Sequence, residues 1–90
     1  MAYLPSLHET SVVEKLDLHG MGDRMRIERA RLKISQHKLA ELARVAPPTI
    51  ANLELGKPRG LSLGTVVAIA RVLNVSLDFL VHGKEWREQP

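Results

Sequence analysis

Ninety residues make one small domain with little to spare, and the absence of cysteine excludes disulfide staples and a Cys-based zinc site. No apolar run is long enough to cross a bilayer, and no basic stretch leading into an apolar core opens the chain, so a soluble cytoplasmic protein is expected. The net charge of +3 is uneven: residues 1–20 set Lys15 against Glu9, Glu14 and Asp17, a balance of −2, which leaves +5 on the remainder. Between residues 24 and 59, nine basic side chains face only Glu28, Glu41 and Glu54. Such a field favours a polyanion and an affinity that falls with salt, although the same lysines and arginines also serve to solvate helices. Tyr3, Phe79 and Trp86 are the only aromatic residues, so the core must be aliphatic and stacking on single-stranded nucleic acid has few platforms.

Residues 1–20 read as an arm. Pro5 interrupts its first leucines, Ser11-Val12-Val13-Glu14 has capping-box spacing for a short helix, and Leu16 and Leu18 alternate as in a strand. Gly20 and Gly22 suggest a flexible join; the arm either packs on the body or a partner, or stays partly disordered. Helix one is expected to begin within residues 21–23, with Asp23 in its first turn and Met25, Arg29 and Leu32 facing inward. A guanidinium on that face needs a carboxylate, and Glu54 is the one available, while Arg24, Arg26 and Arg31 remain outside. Lys33 closes this helix where glycine would be more comfortable.

Ser35 is a good N-cap for a second helix that buries Leu39, Ala40 and Ala43. Arg44-Val45-Ala46 turns the chain, and Pro47-Pro48 open a third helix where a missing amide donor costs little. Ile50 and Leu53 face Leu39 and Val45, Thr49 and Asn52 point elsewhere, and small Ala40 lets the two helices cross closely. Two helices joined so tightly make a helix-turn-helix whose second helix is shaped to enter a DNA major groove. Residues 55–60 are a loop by composition and put Lys57 and Arg59 at the end of that helix.

Ser62 opens a fourth helix with Leu63, Val66, Val67, Ala70 and Leu73 as its apolar stripe, ended by Asn74-Val75. Ser76 caps a short fifth helix over residues 77–81, with Asp78 in its first turn and Val75, Leu77 and Leu80 turned to the core. The chain therefore reads as an all-α, compact five-helix bundle over residues 21–82, with the N-terminal arm 1–20 and a tail 83–90 that is polar apart from Trp86. So small a core gains from dimerisation, and Leu73, Phe79, Val81 and Trp86 are candidate contacts, unless Phe79 only plugs the core and Trp86 frays.

The residues Ser35-Gln36, Leu39-Ala40, Val45, Thr49-Ile50 and Leu53-Glu54 with Gly56-Lys57 carry a family likeness, continued by Leu61-Ser62-Leu63, Ala70, Leu73-Asn74-Val75-Ser76-Leu77 and Phe79-Leu80. Through them, residues 24–81 resemble the helix-turn-helix family of phage Cro and CI repressors, the xenobiotic-response-element-type regulators. The resemblance implies a lambda-repressor-like fold and a homodimeric transcriptional regulator, most simply a repressor, reading a near-palindromic operator in double-stranded DNA. By the same resemblance Gln36, with His37 beside it, meets the DNA backbone at the start of helix two. Pro47, Pro48, Thr49 and Asn52 form the exposed start and outer face of the recognition helix, Lys57 and Arg59 meet phosphate or the minor groove, and Arg29 with Glu54 resembles a buried structural ion pair.

Three positions depart from the family pattern, which usually has Ser or Thr at 46 and glutamine, arginine or serine at 47 and 48. Ala46 cannot accept a capping bond, a loss of typically about 1 kcal/mol, partly offset by the fixed angle of the prolines. Neither Pro47 nor Pro48 can donate to a base edge; a ring can touch a thymine methyl, and Asn52 can pair with adenine if it reaches. More of the specificity then falls to operator shape, phosphate contacts and Arg59.

An enzyme is not expected: His8, His19, His37 and His82 are dispersed without metal-ligand spacing, no glycine-rich phosphate loop follows a strand, and neither metal nor cofactor is implied. The rival reading keeps the fold in an interaction protein, such as the antitoxin of a toxin–antitoxin pair. There the arm, with Leu4, Leu7, Val12, Val13, Leu16 and Leu18, or the Trp86 tail would grip a protein partner. An arm wrapped on the body or on a second copy would instead favour a stand-alone repressor or a restriction–modification controller.

Overall fold

The computed structural model describes residues 18–57, 59 and 61–83, without the side chains of Leu18 and His19. The expectations for the arm before Leu18 and for Trp86 lie outside the described residues. Within them five helices follow one another: α1 (Leu18–Leu32), α2 (Gln36–Ala43), α3 (Pro47–Glu54), α4 (Leu63–Leu73) and α5 (Leu77–His82). There is no strand among the described residues, and the fold is all-α. The longest helix, α1, packs against α3, α4 and α5, while α2 packs against α3 and α4, and α4 against α5.

Three of the joints share one construction. Lys33, Arg44 and Asn74 each adopt a left-handed backbone, with φ of 59°, 59° and 57°. The next residue then donates its N–H five residues back: Ile34 to the Arg29 carbonyl at 3.2 Å, Val45 to that of Ala40 at 3.0 Å, Val75 to that of Ala70 at 3.1 Å. These are Schellman endings, and they satisfy carbonyls that a helix terminus would otherwise orphan. Ile34, Val45 and Val75 follow the turn and pack half-buried on the core, so each reversal is also an apolar contact. A serine comes next in two of the three. Ser35 accepts from the Lys38 N–H and Ser76 from the Phe79 N–H. In the middle joint Ala46 stands at that place, makes no side-chain cap, and hands over to the two prolines.

Met21, Met25, Leu39, Ile50, Leu53, Ile69, Leu73 and Leu80 are the large side chains fully enclosed in the core. Several expectations change here. Helix α1 begins at Leu18, ahead of Met21, so Asp23 lies beyond its first turn, where it accepts from Arg26 Nη2 at 2.8 Å. Gly22 is no flexible join. A Cβ built on it would stand 2.2 Å from the Leu53 carbonyl oxygen and 3.0 Å from Glu54 Cα, so it is the point where the backbones of α1 and α3 touch. Arg24 is not left outside: its Nε donates to the Leu80 carbonyl at 2.8 Å and ties α1 to the end of α5, where a cation suits the helix dipole.

The inner stripes are also shorter than periodicity suggests. Met21 and Met25 are buried with Glu28, which bonds Arg31, but Leu32 in the last turn of α1 is 44% exposed, because the chain leaves the core there through Lys33. On α4 the enclosed set is Val66, Ile69, Ala70 and Leu73, whereas Leu63 is 70% exposed at the rim of an open groove with Leu61, Leu77 and Val81. Leu73 is 1% exposed, inside the monomer's own core, and so offers no surface to a second copy. Phe79 and Val81 are half-buried on α5.

Candidate nucleic-acid interface

The α2–α3 unit rests on small, enclosed residues. Leu39 and Ala40 of α2 and Ile50 and Leu53 of α3 are wholly buried, so the second helix is seated on the first through an aliphatic core, joined by one side-chain hydrogen bond from Gln36 to Glu54. That seating turns Ile50, Leu53 and Glu54 inward and leaves Pro47 and Pro48 exposed, with Thr49, Ala51 and Asn52 half-buried.

The start of α3 differs from an ordinary helix terminus. Pro47 and Pro48 carry no N–H, and the N–H of Thr49 is already donated to the Ala46 carbonyl at 2.9 Å. The anion-binding property of a helix N-terminus is thus largely absent. At the other end, Gly56 at φ 77° turns the chain, and the Lys57 N–H returns to the Asn52 carbonyl at 2.8 Å. This turn fixes the exposed Lys57 directly behind the helix, with exposed Arg59 two residues on.

Gln36 and the charged pair form one network. Arg29 Nε donates to Glu54 Oε2 at 2.8 Å, Arg29 Nη2 to Glu54 Oε1 at 3.0 Å, and Gln36 Nε2 to the same Oε1 at 2.9 Å. A third guanidinium bond, Nη1 to the Ile34 carbonyl at 3.0 Å, anchors Arg29 to the joint after α1. The Glu54 side chain is 4% exposed, and its two oxygens accept three donors, which is what a buried carboxylate requires. The hydrogen bond to Glu54 raises the Arg29 pKa above its ordinary value, burial opposes it, and the Glu54 charge adds to the rise. One N–H of the Gln36 amide is therefore committed inward, leaving the other for an outside acceptor.

His37 is exposed beside Gln36, and Lys38 pairs with Glu41 at 3.1 Å. Arg44, exposed in the turn before α3, is a cation that the sequence analysis did not single out; its sequence signal is a long basic side chain at a left-handed position that favours glycine. Among the described residues no group of three or more His, Asp or Glu side chains could hold a metal ion, and no helix is long and apolar enough to cross a membrane.

Residues 25–80 match the sequence signature of the helix-turn-helix family. The chain belongs to the Cro/CI-type helix-turn-helix family. This family member is similar in structure to the restriction-modification controller protein C.AhdI from Aeromonas hydrophila, with 30% identity, a TM-score of 0.65, and 71% of this chain aligned to 96% of that one. It is equally similar to the P22 c2 repressor protein in complex with synthetic operator 9T, at 30% identity and a TM-score of 0.66, covering 71% and 96% of the two chains. The chain also resembles a hydroxypropylphosphonic acid epoxidase from S. wedmorenis at 30% identity and a TM-score of 0.65, with 74% of this chain aligned to only 35% of that one. None of the curated protein sequences matches. Family and neighbours together support a DNA-binding transcriptional regulator.

Proposed function

We propose that this protein is a cytoplasmic homodimeric repressor that reads a near-palindromic operator in double-stranded DNA, one α3 in each half-site. The observation that carries the reading is the outward start of α3, seated on α2 by Ile50 and Leu53 and bordered by exposed Arg44, Lys57 and Arg59. In this reading Gln36 and His37 lie against the phosphate backbone at the start of α2. Pro47, Pro48, Thr49 and Asn52 face the major groove, and Lys57 and Arg59 neutralise phosphates. Phe79 and Val81 on α5 remain the candidates for the dimer contact.

A salt titration against a library of random duplexes tests the proposal. Binding should weaken steeply with salt, and replacing Lys57 or Arg59 by alanine should lower the slope by about one each. Replacing Asn52 by alanine should relax preference at one base position with the slope unchanged. A selected site should consist of two half-sites about 34 Å apart. Binding that is weak, indifferent to salt and unmoved by all three substitutions would refute it.

A further inference from the structure

The outward side of α3 is almost without hydrogen-bond donors. Pro48, Ala51 and Leu55 follow one another at three- and four-residue intervals, with Asn52 next to Ala51, opposite the buried Ile50, Leu53 and Glu54. Pro47 and Pro48 are exposed and Leu55 is 64% exposed, while Thr49, Ala51 and Asn52 are half-buried. The backbone adds nothing, because two of the first three nitrogens are proline and the Thr49 N–H is taken by Ala46. Positive charge nevertheless borders this apolar strip: Arg44 in the turn before it, Lys57 and Arg59 after it, all exposed.

A surface that is hydrocarbon at its centre and cationic at its borders needs a partner of the opposite arrangement. The major groove supplies one where a C5-methyl group lies between two phosphate chains. We propose that α3 selects its site through the C5-methyl groups of pyrimidines, thymine or 5-methylcytosine, with Pro48 and Ala51 as the methyl contacts and Asn52 as the one side chain reaching a base edge. The inference rests on the DNA-binding reading above and adds which feature of the base pair is read. At the bases facing Pro48 and Ala51, which offer neither donor nor acceptor, the O4 of thymine cannot be told from the N4 of cytosine, but a methyl group on either is favourable.

The experiment alters the DNA and leaves the protein intact, so folding is not in question. Duplexes are first selected from a random library with the full chain. Each conserved pyrimidine of the selected half-site is then made in four forms: thymine, deoxyuridine, cytosine and 5-methylcytosine. Thymine and 5-methylcytosine should bind alike, and deoxyuridine and cytosine about fourfold more weakly per methyl group lost, the ratio that ~0.8 kcal/mol per buried carbon corresponds to. The salt slope should be the same for all four, since no charge changes. Four forms of equal affinity, or a ranking that sets thymine and deoxyuridine against the two cytosines, would overturn the methyl readout and leave DNA binding standing. A library from which nothing is enriched would overturn the DNA reading itself, and the apolar strip would then belong to a protein partner.

Discussion

Replacing Gly22 by alanine sets two known effects against each other. In a helix interior the change alone should stabilise by about 1 kcal/mol, the propensity difference between the two residues. Here the new methyl would sit 2.2 Å from the Leu53 carbonyl oxygen and 3.0 Å from Glu54 Cα, both backbone atoms that cannot rotate away. Relief requires α1 and α3 to part by roughly 1 Å, and overpacking of this kind costs about 1–3 kcal/mol. The same movement stretches the Arg29–Glu54 bonds from 2.8 and 3.0 Å toward the limit of hydrogen bonding, around a carboxylate that water does not reach. With about 1–3 kcal/mol more for the weakened bonds to a buried carboxylate, the losses exceed the gain, for a net destabilisation of about 2–3 kcal/mol, or a fall in Tm of roughly 8–24 °C for a domain this size. Gly64 is the matched control, since a Cβ there would meet nothing nearer than Ser62 Oγ at 3.8 Å. Gly64→Ala should leave stability unchanged or raise it by up to about 1 kcal/mol. Paired thermal and urea melts decide the matter: if both alanine variants melt at or above the parent, α1 and α3 do not meet at Gly22.

Truncating Arg29 to leucine should cost about 3–5 kcal/mol in urea unfolding, because it strands the Glu54 carboxylate, whereas truncating the more buried Glu54 leaves a guanidinium at 18% exposure that water can still reach, and should cost less. Leucine at both positions should recover most of the loss; a double variant no better than Arg29→Leu would contradict the account. Because Glu54 holds the Arg29 pKa above its ordinary value, the stabilisation is complete below that value and disappears only as pH rises through a still higher one, so the Arg29→Leu difference should stay flat from about pH 6 to pH 10. Ala46→Ser should raise stability by no more than about 0.5 kcal/mol in thermal melts, because Pro48 has no N–H to cap and the Thr49 N–H is already donated to the Ala46 carbonyl. Lys33→Gly should gain about 0.5–1 kcal/mol by relieving a left-handed residue, and a loss on melting would mean the Lys33 side chain contributes more than its backbone costs.

What was legible in the sequence is what local chemistry determines. Serines at 35, 62 and 76 announce helix starts, and each side chain accepts the expected N–H. A guanidinium at helical spacing with inward apolar residues demands a carboxylate, and Arg29 and Glu54 are indeed bonded. Gln36 was harder: it is neutral, stands eighteen residues from Glu54, and completes that network without any pattern to betray it. The misread elements are those whose meaning is tertiary. Gly22 looks like a break to a helix scale, yet a helix can need glycine because another backbone passes there. Leu32 and Leu63 extend a stripe by the right interval, but an interval does not say where the neighbouring helix ends. Leu73 satisfies both a core and an interface pattern, and only packing assigns it to the core.

The forces on α3 are concentrated at one end. Its last residues meet Gly22 through the Leu53 carbonyl and are clamped by Arg29 and Gln36 on Glu54, while its first residues lack a side-chain cap and two N–H groups. A helix anchored in this way keeps its direction even when the side chains at its free end are exchanged. Substitutions at the exposed Pro47 and Pro48 should therefore shift stability by no more than about 0.5 kcal/mol while changing what the surface prefers to touch. Those at Gly22, Arg29 or Glu54 should act on binding only in proportion to the fraction of protein they unfold. The test is whether affinity, corrected for folded fraction, changes in the first set and not in the second. A Glu54 variant that stays folded yet loses affinity would show that the anchored end does more than hold the helix in place.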